Sequence, residues 1–172
     1  MTTIEILTPA AAAEAVPALA ALLIDCVLAG ASVSFQPPLE RDRAEKFWRN
    51  IAGNVADGTA ILLAARQDAR IVGTVQVQFA ASDNQPHRAD IAKMLVHSSA
   101  RRQGIGAALM GAAEVAARGA GKTLLTLDTV TGSAGERLYA SAGWTRVGDI
   151  PDYALTPYDG LCSTTIFYKQ IA

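Results

Sequence analysis

Chemistry-bearing residues stand out at three places in this 172-residue chain. The densest is Arg101-Arg102-Gln103-Gly104-Ile105-Gly106, followed by Ala107 and an alanine-rich run (KMLVHSSARRQGIGAAL, residues 93–109). An apolar strand-like stretch ends at Val96, and a helical pattern begins at Gly104. Glycines let a backbone approach a ligand closely, and the unpaired N–H groups of a helix's first turn attract anions. Two arginines add positive potential at the same place. This is a cradle for a diphosphate; the bland alternative for Arg101 and Arg102 is a solvated surface pair. The second place is a pair of acids inside strand-like runs. Asp90 stands next to Ile91 and Ala92, and Asp128 follows Leu125 and Leu127. Aspartate is disfavoured in strands, and a carboxylate held in a partly dry cleft is a better proton acceptor. The alternative is a strand-end aspartate that caps a loop. The third is Tyr139, in a short helical segment.

Other readings of the glycines fail on spacing. A dinucleotide fingerprint needs a third glycine where Leu109 stands, and a β-α-β start that the N-terminus lacks. Gly121-Lys122-Thr123 hints at a phosphate loop, but Ala116 occupies the place of its first glycine. That segment also follows a helix and precedes a strand, the reverse of the required order.

The elements that must position these residues follow from hydrophobic period and punctuation. Thr3–Leu7 alternates as a strand. Thr8–Ala29 reads as one helix, with Thr8 as cap, Pro9 in the first turn and Gly30 as stop. Residues 31–38 form a loop, and Glu40–Ala56 a second helix with Phe47, Trp48, Ile51 and Val55 on its apolar side. Strands are expected at Ala60–Arg66, Ile71–Ala80 and Ala89–His97, the first two as a hairpin. A helix over Gly104–Arg118, a strand at Leu124–Thr129, a helix over Ser133–Ala142 with Ser133 as cap, and strands at Trp144–Gly148 and Thr164–Lys169 complete the chain. The order β-α-α-β-β-β-α-β-α-β-β predicts an α/β protein (α+β mixed). Its sheet is mixed and mostly antiparallel, of about seven strands, with helices on both faces.

Residues 96–110 (VHSSARRQGIGAALM), in their strand–loop–helix context, together with LYASAGW at 138–144, resemble the GNAT superfamily of N-acetyltransferases. Within it the chain is most similar to the tabtoxin-resistance acetyltransferases. That likeness runs through GASVSF (30–35), the R-A-acid segment before KMLV (88–96), LDTVTGS (127–133) and RVGDIPDYALTP (146–157). It implies a twisted sheet whose fourth and fifth strands splay, with acetyl-CoA as cosubstrate in the gap. The backbone of Met94, Leu95 and Val96 would hold the pantetheine arm, and Arg101, Arg102, Gln103, Gly104, Ile105, Gly106 and Ala107 the pyrophosphate. Asp90 and Asp128 match acidic positions assigned to the base, directly or through water, and Tyr139 matches the usual general acid. The alternative for Tyr139 is a core tyrosine bonded to a backbone carbonyl. Candidates on the acceptor side are Asp25, Ser32, Ser34, Phe35 and Tyr153. The first has a plain helix-surface reading, and the last belongs to a polar aromatic loop that also holds Thr156, Tyr158 and Asp159.

The implied reaction is direct acetyl transfer to an amine of a small molecule, such as an amino-acid-like toxin or antibiotic. The rival readings are a peptide lysine or N-terminal acetyltransferase and a non-catalytic CoA-binding sensor. A covalent acyl-enzyme is not expected, because Cys26 and Cys162 have no histidine beside them in the sequence and are expected away from the cofactor loop. Composition narrows the remaining classes. Hydrophobic residues are 51% of the chain, enough for a packed core over a single domain spanning 1–172. Fifteen basic against sixteen acidic residues give a net charge of −1, with no overall pull toward nucleic acid or an anionic membrane. No apolar run reaches membrane-span length, and no signal segment is read at the N-terminus. Two cysteines and two isolated histidines, His87 and His97, make neither a disulfide framework nor a metal site. A cytoplasmic monomer or homodimer is expected.

Overall fold

The computed structural model describes residues 1–171. Its seven strands are β1 (Thr2–Ile6), β2 (Ala60–Gln67), β3 (Arg70–Phe79), β4 (Arg88–Val96), β5 (Leu124–Val130), β6 (Thr145–Thr156) and β7 (Gly160–Gln170). They form one sheet in the order β1-β2-β3-β4-β5-β7-β6. Every neighbouring pair is antiparallel except β4 and β5. The helices are α1 (Pro9–Glu14), α2 (Val16–Leu28), α3 (Arg41–Ala56), α4 (Ile105–Gly119) and α5 (Ala134–Ser141).

Strand alternation divides the core between the two faces. Leu62 and Ala64 of β2 pack with Leu19, Leu23, Cys26 and Trp48 beneath α2 and α3. Leu63 and Ala65 point the other way and pack with Leu109, Met110 and Ala113 of α4 and Tyr139 of α5. The mixed sheet with helices on both faces is as expected. Among the described residues, no helix is long and apolar enough to cross a membrane.

Three elements differ from expectation, the simplest being β7, which was read as Thr164–Lys169 and runs Gly160–Gln170. The helix read as Thr8–Ala29 is two, divided at Ala15. Pro17 lacks the N–H that an unbroken ladder needs and sits instead in the first turn of α2. Thr8 caps α1 as expected, accepting from Ala11 N at 3.2 Å. The strand read as Trp144–Gly148 continues to Thr156, so Tyr153 and Thr156 lie on β6 and not on a loop. Pro151 is tolerated because β6 is an edge strand and its register against β7 slips between Ile150 and Ala154. Asp152 takes up the distortion at φ 51°.

Two irregularities position the site. β4 and β5 are paired only at Arg88↔Leu124, Ala89↔Leu125 and Asp90↔Thr126, and then part. β4 also carries a bulge against β3, between the pairs Gln76↔Ala92 and Thr74↔Leu95, with Lys93 at φ 48°.

Candidate active site

The gap between β4 and β5 opens into a cleft of about 780 Å³. Its walls are residues 29–36, 91–96, 128–130 and 133–135, with Arg101, Gly106, Leu138, Tyr139 and the β6–β7 hairpin at 153–156.

The bulge decides what β4 shows to this cleft. Backbone groups alternate between the two edges of a strand. Arg88 O accepts from Ala80 N on the β3 side, and His97 N donates to Val72 O on that same side. These residues are nine apart, so the alternation changes phase once between them, at the bulge. Counting back from His97, Leu95 pairs into the β3 ladder, while Met94 and Val96 turn their N–H and C=O toward the gap. Val96 O is met there by Arg101 Nε at 3.2 Å and by Cys26 Sγ at 3.5 Å. From Ile91 onward no strand of the sheet pairs with that edge.

At one end of the cleft the chain turns from β4 into α4. Gly104 caps the helix in the left-handed region (φ 78°), which favours glycine, and no side chain satisfies the first-turn amides. An added Cβ at Gly106 would sit 3.2 Å from Leu138 Cδ2, so the small residue lets α4 and α5 approach. Uncapped amides, a positive-φ glycine and Arg101 fit a diphosphate. Ile105 is core, 2% exposed, and has only its backbone to offer. Arg102, at φ 63°, is exposed and outside the cleft lining. Gln103 and Ala107 are exposed as well, and Gln103 is held by Gln67 Nε2 at 2.9 Å.

Tyr139 and Asp128 face the cleft from the other side of the gap. α5 is aimed by its cap, Ser133 Oγ accepting from Glu136 N at 3.2 Å. It lies close on β5, where a Cβ at Gly135 would come within 2.7 Å of Thr129 Oγ1. Tyr139 is 6% exposed, its ring packed against Trp144 and Phe167, and its hydroxyl has no hydrogen-bond partner among the described residues. Burial first, and the Asp128 charge second, push its phenol up to about 12. Asp128 is exposed on β5, and its Oδ2 accepts from Thr164 Oγ1 at 2.8 Å.

Two acids expected at the site are engaged elsewhere. Asp90 lies on β4 where it is still paired with β5. Its carboxylate is held by Arg88 at 2.5 Å and by the Thr126 hydroxyl, outside the cleft. Asp25 accepts from Ser98 N and Ser98 Oγ, both at 2.7 Å, and so fixes the turn that leads to Arg101 instead of facing an acceptor. Ser32, Phe35 and Tyr153 do line the cleft. Ser32 Oγ and Gln36 Nε2 both donate to Leu155 O, at 3.0 and 3.1 Å, tying the 30–36 loop to the hairpin.

The two cysteines correct an expectation, because both line the cleft. Burial pushes the Cys26 thiol up to about 11, against the pull of Arg101, so it stays protonated and weakly nucleophilic at neutral pH. Lys93 is a residue the sequence reading did not single out. It lines the cleft and donates to Ser34 Oγ at 3.0 Å. Its signal was a lysine in the middle of an apolar strand.

Comparison with known proteins agrees with this architecture. A family model described as "Acetyltransferase (GNAT) family" matches residues 24–144. The aminoglycoside N(6')-acetyltransferase type 1 of Klebsiella aerogenes is 35% identical over 104 residues, 58% of this chain and 68% of that protein. The yncA protein of Salmonella typhimurium, solved with its cofactor acetyl-CoA, superposes with a TM-score of 0.80 at 17% identity, over 99% of this chain and 94% of that one. A ribosomal-protein-alanine N-acetyltransferase from Brucella melitensis superposes at 0.79 with 21% identity, over 98% and 99%. These two structural likenesses speak for the fold. The family model, spanning more than half of the residues, shows that the chain belongs to the GNAT family of acetyltransferases, acyltransferases whose cosubstrate is acetyl-CoA.

Proposed function

We propose that residues 1–172 form one domain that acetylates an amine of a small molecule, with Asp128 and Tyr139 as its proton-transfer groups. The observation that carries this reading is convergence. A carboxylate, a buried phenol and the free edge of β4 line one cleft at the point where the sheet parts.

When bound, acetyl-CoA supplies an acetyl group activated as a thioester. Gly104, Ile105, Gly106 and Ala107 would hold its diphosphate through main-chain N–H groups, with Arg101 beside them. Met94 and Val96 turn N–H groups into the gap, where they favour oxygen that gains negative charge. Leu95 helps only by packing, since its backbone belongs to the β3 ladder. Asp128 takes the proton of the acceptor's ammonium at a carboxylate oxygen, leaving a free amine to attack. Thr164 holds the other side of that carboxylate in place. Tyr139 keeps its proton at Oη throughout the neutral range, as a general acid must before it acts. Cys26, held as a thiol, takes no part as nucleophile.

For the acceptor, the aminoglycoside acetyltransferase relative supports a small molecule. The likeness of GASVSF, LDTVTGS and RVGDIPDYALTP to tabtoxin-resistance enzymes favours an amino-acid-like toxin such as tabtoxinine-β-lactam. The test is acetyl-CoA-dependent thiol release with mass-spectrometric detection of products. The panel holds amino acids, amino-acid toxins, polyamines, aminoglycosides and lysine peptides. Release with one small-molecule class supports the reading. Release with peptides alone moves the activity to protein modification, and acetyl-CoA binding without release from any acceptor points to a sensor.

A further inference from the structure

Several charged side chains of this protein are satisfied in opposite pairs, while Arg118, Lys122 and Arg137 bond main-chain carbonyls instead. Arg88 bonds Asp90, Lys169 bonds Glu114 at 2.8 Å, and Arg41 bonds Glu45 at 2.9 Å. Inside the cleft two opposite charges stand unpaired. Lys93 and Asp128 both line it, and neither has an ion-pair partner among the described residues. Each rests on a neutral hydroxyl instead: Lys93 Nζ on Ser34 Oγ at 3.0 Å, and Asp128 Oδ2 on Thr164 Oγ1 at 2.8 Å. The third charge of the lining, Arg101, is turned toward Val96 O.

The two opposite charges sense each other without closing. Burial lowers the Lys93 pKa, and the Asp128 charge acts in the other direction. Lys93 is held from several sides. Its ammonium lies 5.7 Å from the Phe47 ring centroid, Ser34 is its hydrogen-bond acceptor, and its backbone is fixed at the bulge. Lys93 is half-buried and Asp128 open to the cleft, so a ligand that carries both opposite charges can complete each of them at once.

We infer that the acceptor is a zwitterion, an amino acid or amino-acid-like amine, whose carboxylate is received by Lys93 while its ammonium is received by Asp128. The inference rests on the proposed role of Asp128 at the amine. It makes Lys93 a specificity-determining residue and gives the Ser34 segment a part in aiming it. A polycation such as an aminoglycoside would bring further ammonium groups against Lys93, where like charges repel.

The experiment compares wild type with Lys93→Met and Lys93→Arg. Each is saturated with CoA and titrated calorimetrically with the protein amino acids, their carboxamides, spermidine and kanamycin. Thiol release from acetyl-CoA is followed in parallel with the same compounds. In wild type the best-bound amino acid is expected to exceed its carboxamide. In Lys93→Met that amino acid weakens by roughly 10- to 100-fold, the loss of one charge-assisted contact, while its carboxamide and CoA bind as before. Lys93→Arg restores most of the preference. Equal binding of acid and amide in wild type overturns the inference. So does equal weakening of both in the variant, preference for the polycations, or no amino-acid binding at all. The expected binding pattern without thiol release keeps the role of Lys93 and overturns the transferase reading instead.

Discussion

The two ends of the cleft are built on different principles. The end at the β4–α4 turn is made of main chain from one continuous stretch, residues 94–107, with glycine at the helix cap and two backbones turned into the gap. The end at the 30–36 loop is made of side chains brought from far apart in sequence. Ser34 meets Lys93, Ser32 and Gln36 meet Leu155, and Tyr158 donates to Leu28 O. A main-chain site can stay constant while side chains change, which suits a shared cosubstrate. A side-chain site can be rewritten by single substitutions, which suits an acceptor that differs between relatives.

The largest expected effect lies at the seam between the two ends. Tyr139→Phe should lower kcat by about 100- to 10,000-fold, the usual worth of a positioned acid, with both KM values little changed. A KM effect on one substrate alone would mean that Tyr139 belongs to one end. Asp128→Asn should lower kcat by roughly 100-fold or more, with activity partly recovered at high pH for acceptors whose amine is already neutral. The absence of that recovery would remove the base assignment.

Gly104→Ala tests the main-chain end. The residue sits at φ 78°, where a Cβ costs roughly 1 kcal/mol, and the strain should move the first-turn amides of α4. We expect the KM for acetyl-CoA to rise about tenfold, with the acceptor KM unchanged. Ser32→Ala with Gln36→Ala tests the other end by releasing Leu155 O. A rise of a few-fold in acceptor KM is expected, within the modest worth of exposed hydrogen bonds, and no change for acetyl-CoA. If either of these variants moved both KM values together, the division into two ends would not hold.

The smallest effect is one of pH on folding. The Tyr139 phenol is pushed up to about 12, while an unfolded tyrosine ionises near about 10. Above about pH 10 the unfolded chain therefore releases a proton that the folded chain keeps, and stability falls as pH rises through this window. Thermal melts of wild type against Tyr139→Phe between pH 8 and 11 should show the extra loss in wild type only.

The contrast also explains what could be read from sequence. The cofactor turn was legible because strand end, arginine, glycines and helix start are consecutive. Asp128 and Tyr139 were legible as candidates through the company they keep. Asp90 looked the same as Asp128 in its own segment; only the pairing of β4 with β5 shows that Arg88 and Thr126 engage it. Asp25 is likewise captured by Ser98, 73 positions away. The far half of β6 was hidden because Pro151 and Asp152 are poor strand residues, and a register slip on an edge strand absorbs them. Lys93 was hidden for a related reason, since simple alternation along β4 gives no warning that the phase changes there.

That phase change links two properties that look independent. The extra residue in β4 works as a parity switch. Because the phase breaks there, Met94 and Val96 turn their peptide groups to the gap; strict alternation over the same nine steps would spend them on β3 and leave Leu95 at the opening. The residue that makes this half-step is also the one that carries the cleft's ammonium group. On the proposed reading, the edge that faces the acetyl group and the ammonium that receives the acceptor thus share one stretch of backbone. Deleting Lys93 would restore regular pairing with Met94 and Val96 still turned to the gap, so it would remove the ammonium group while sparing the sheet and its open edge.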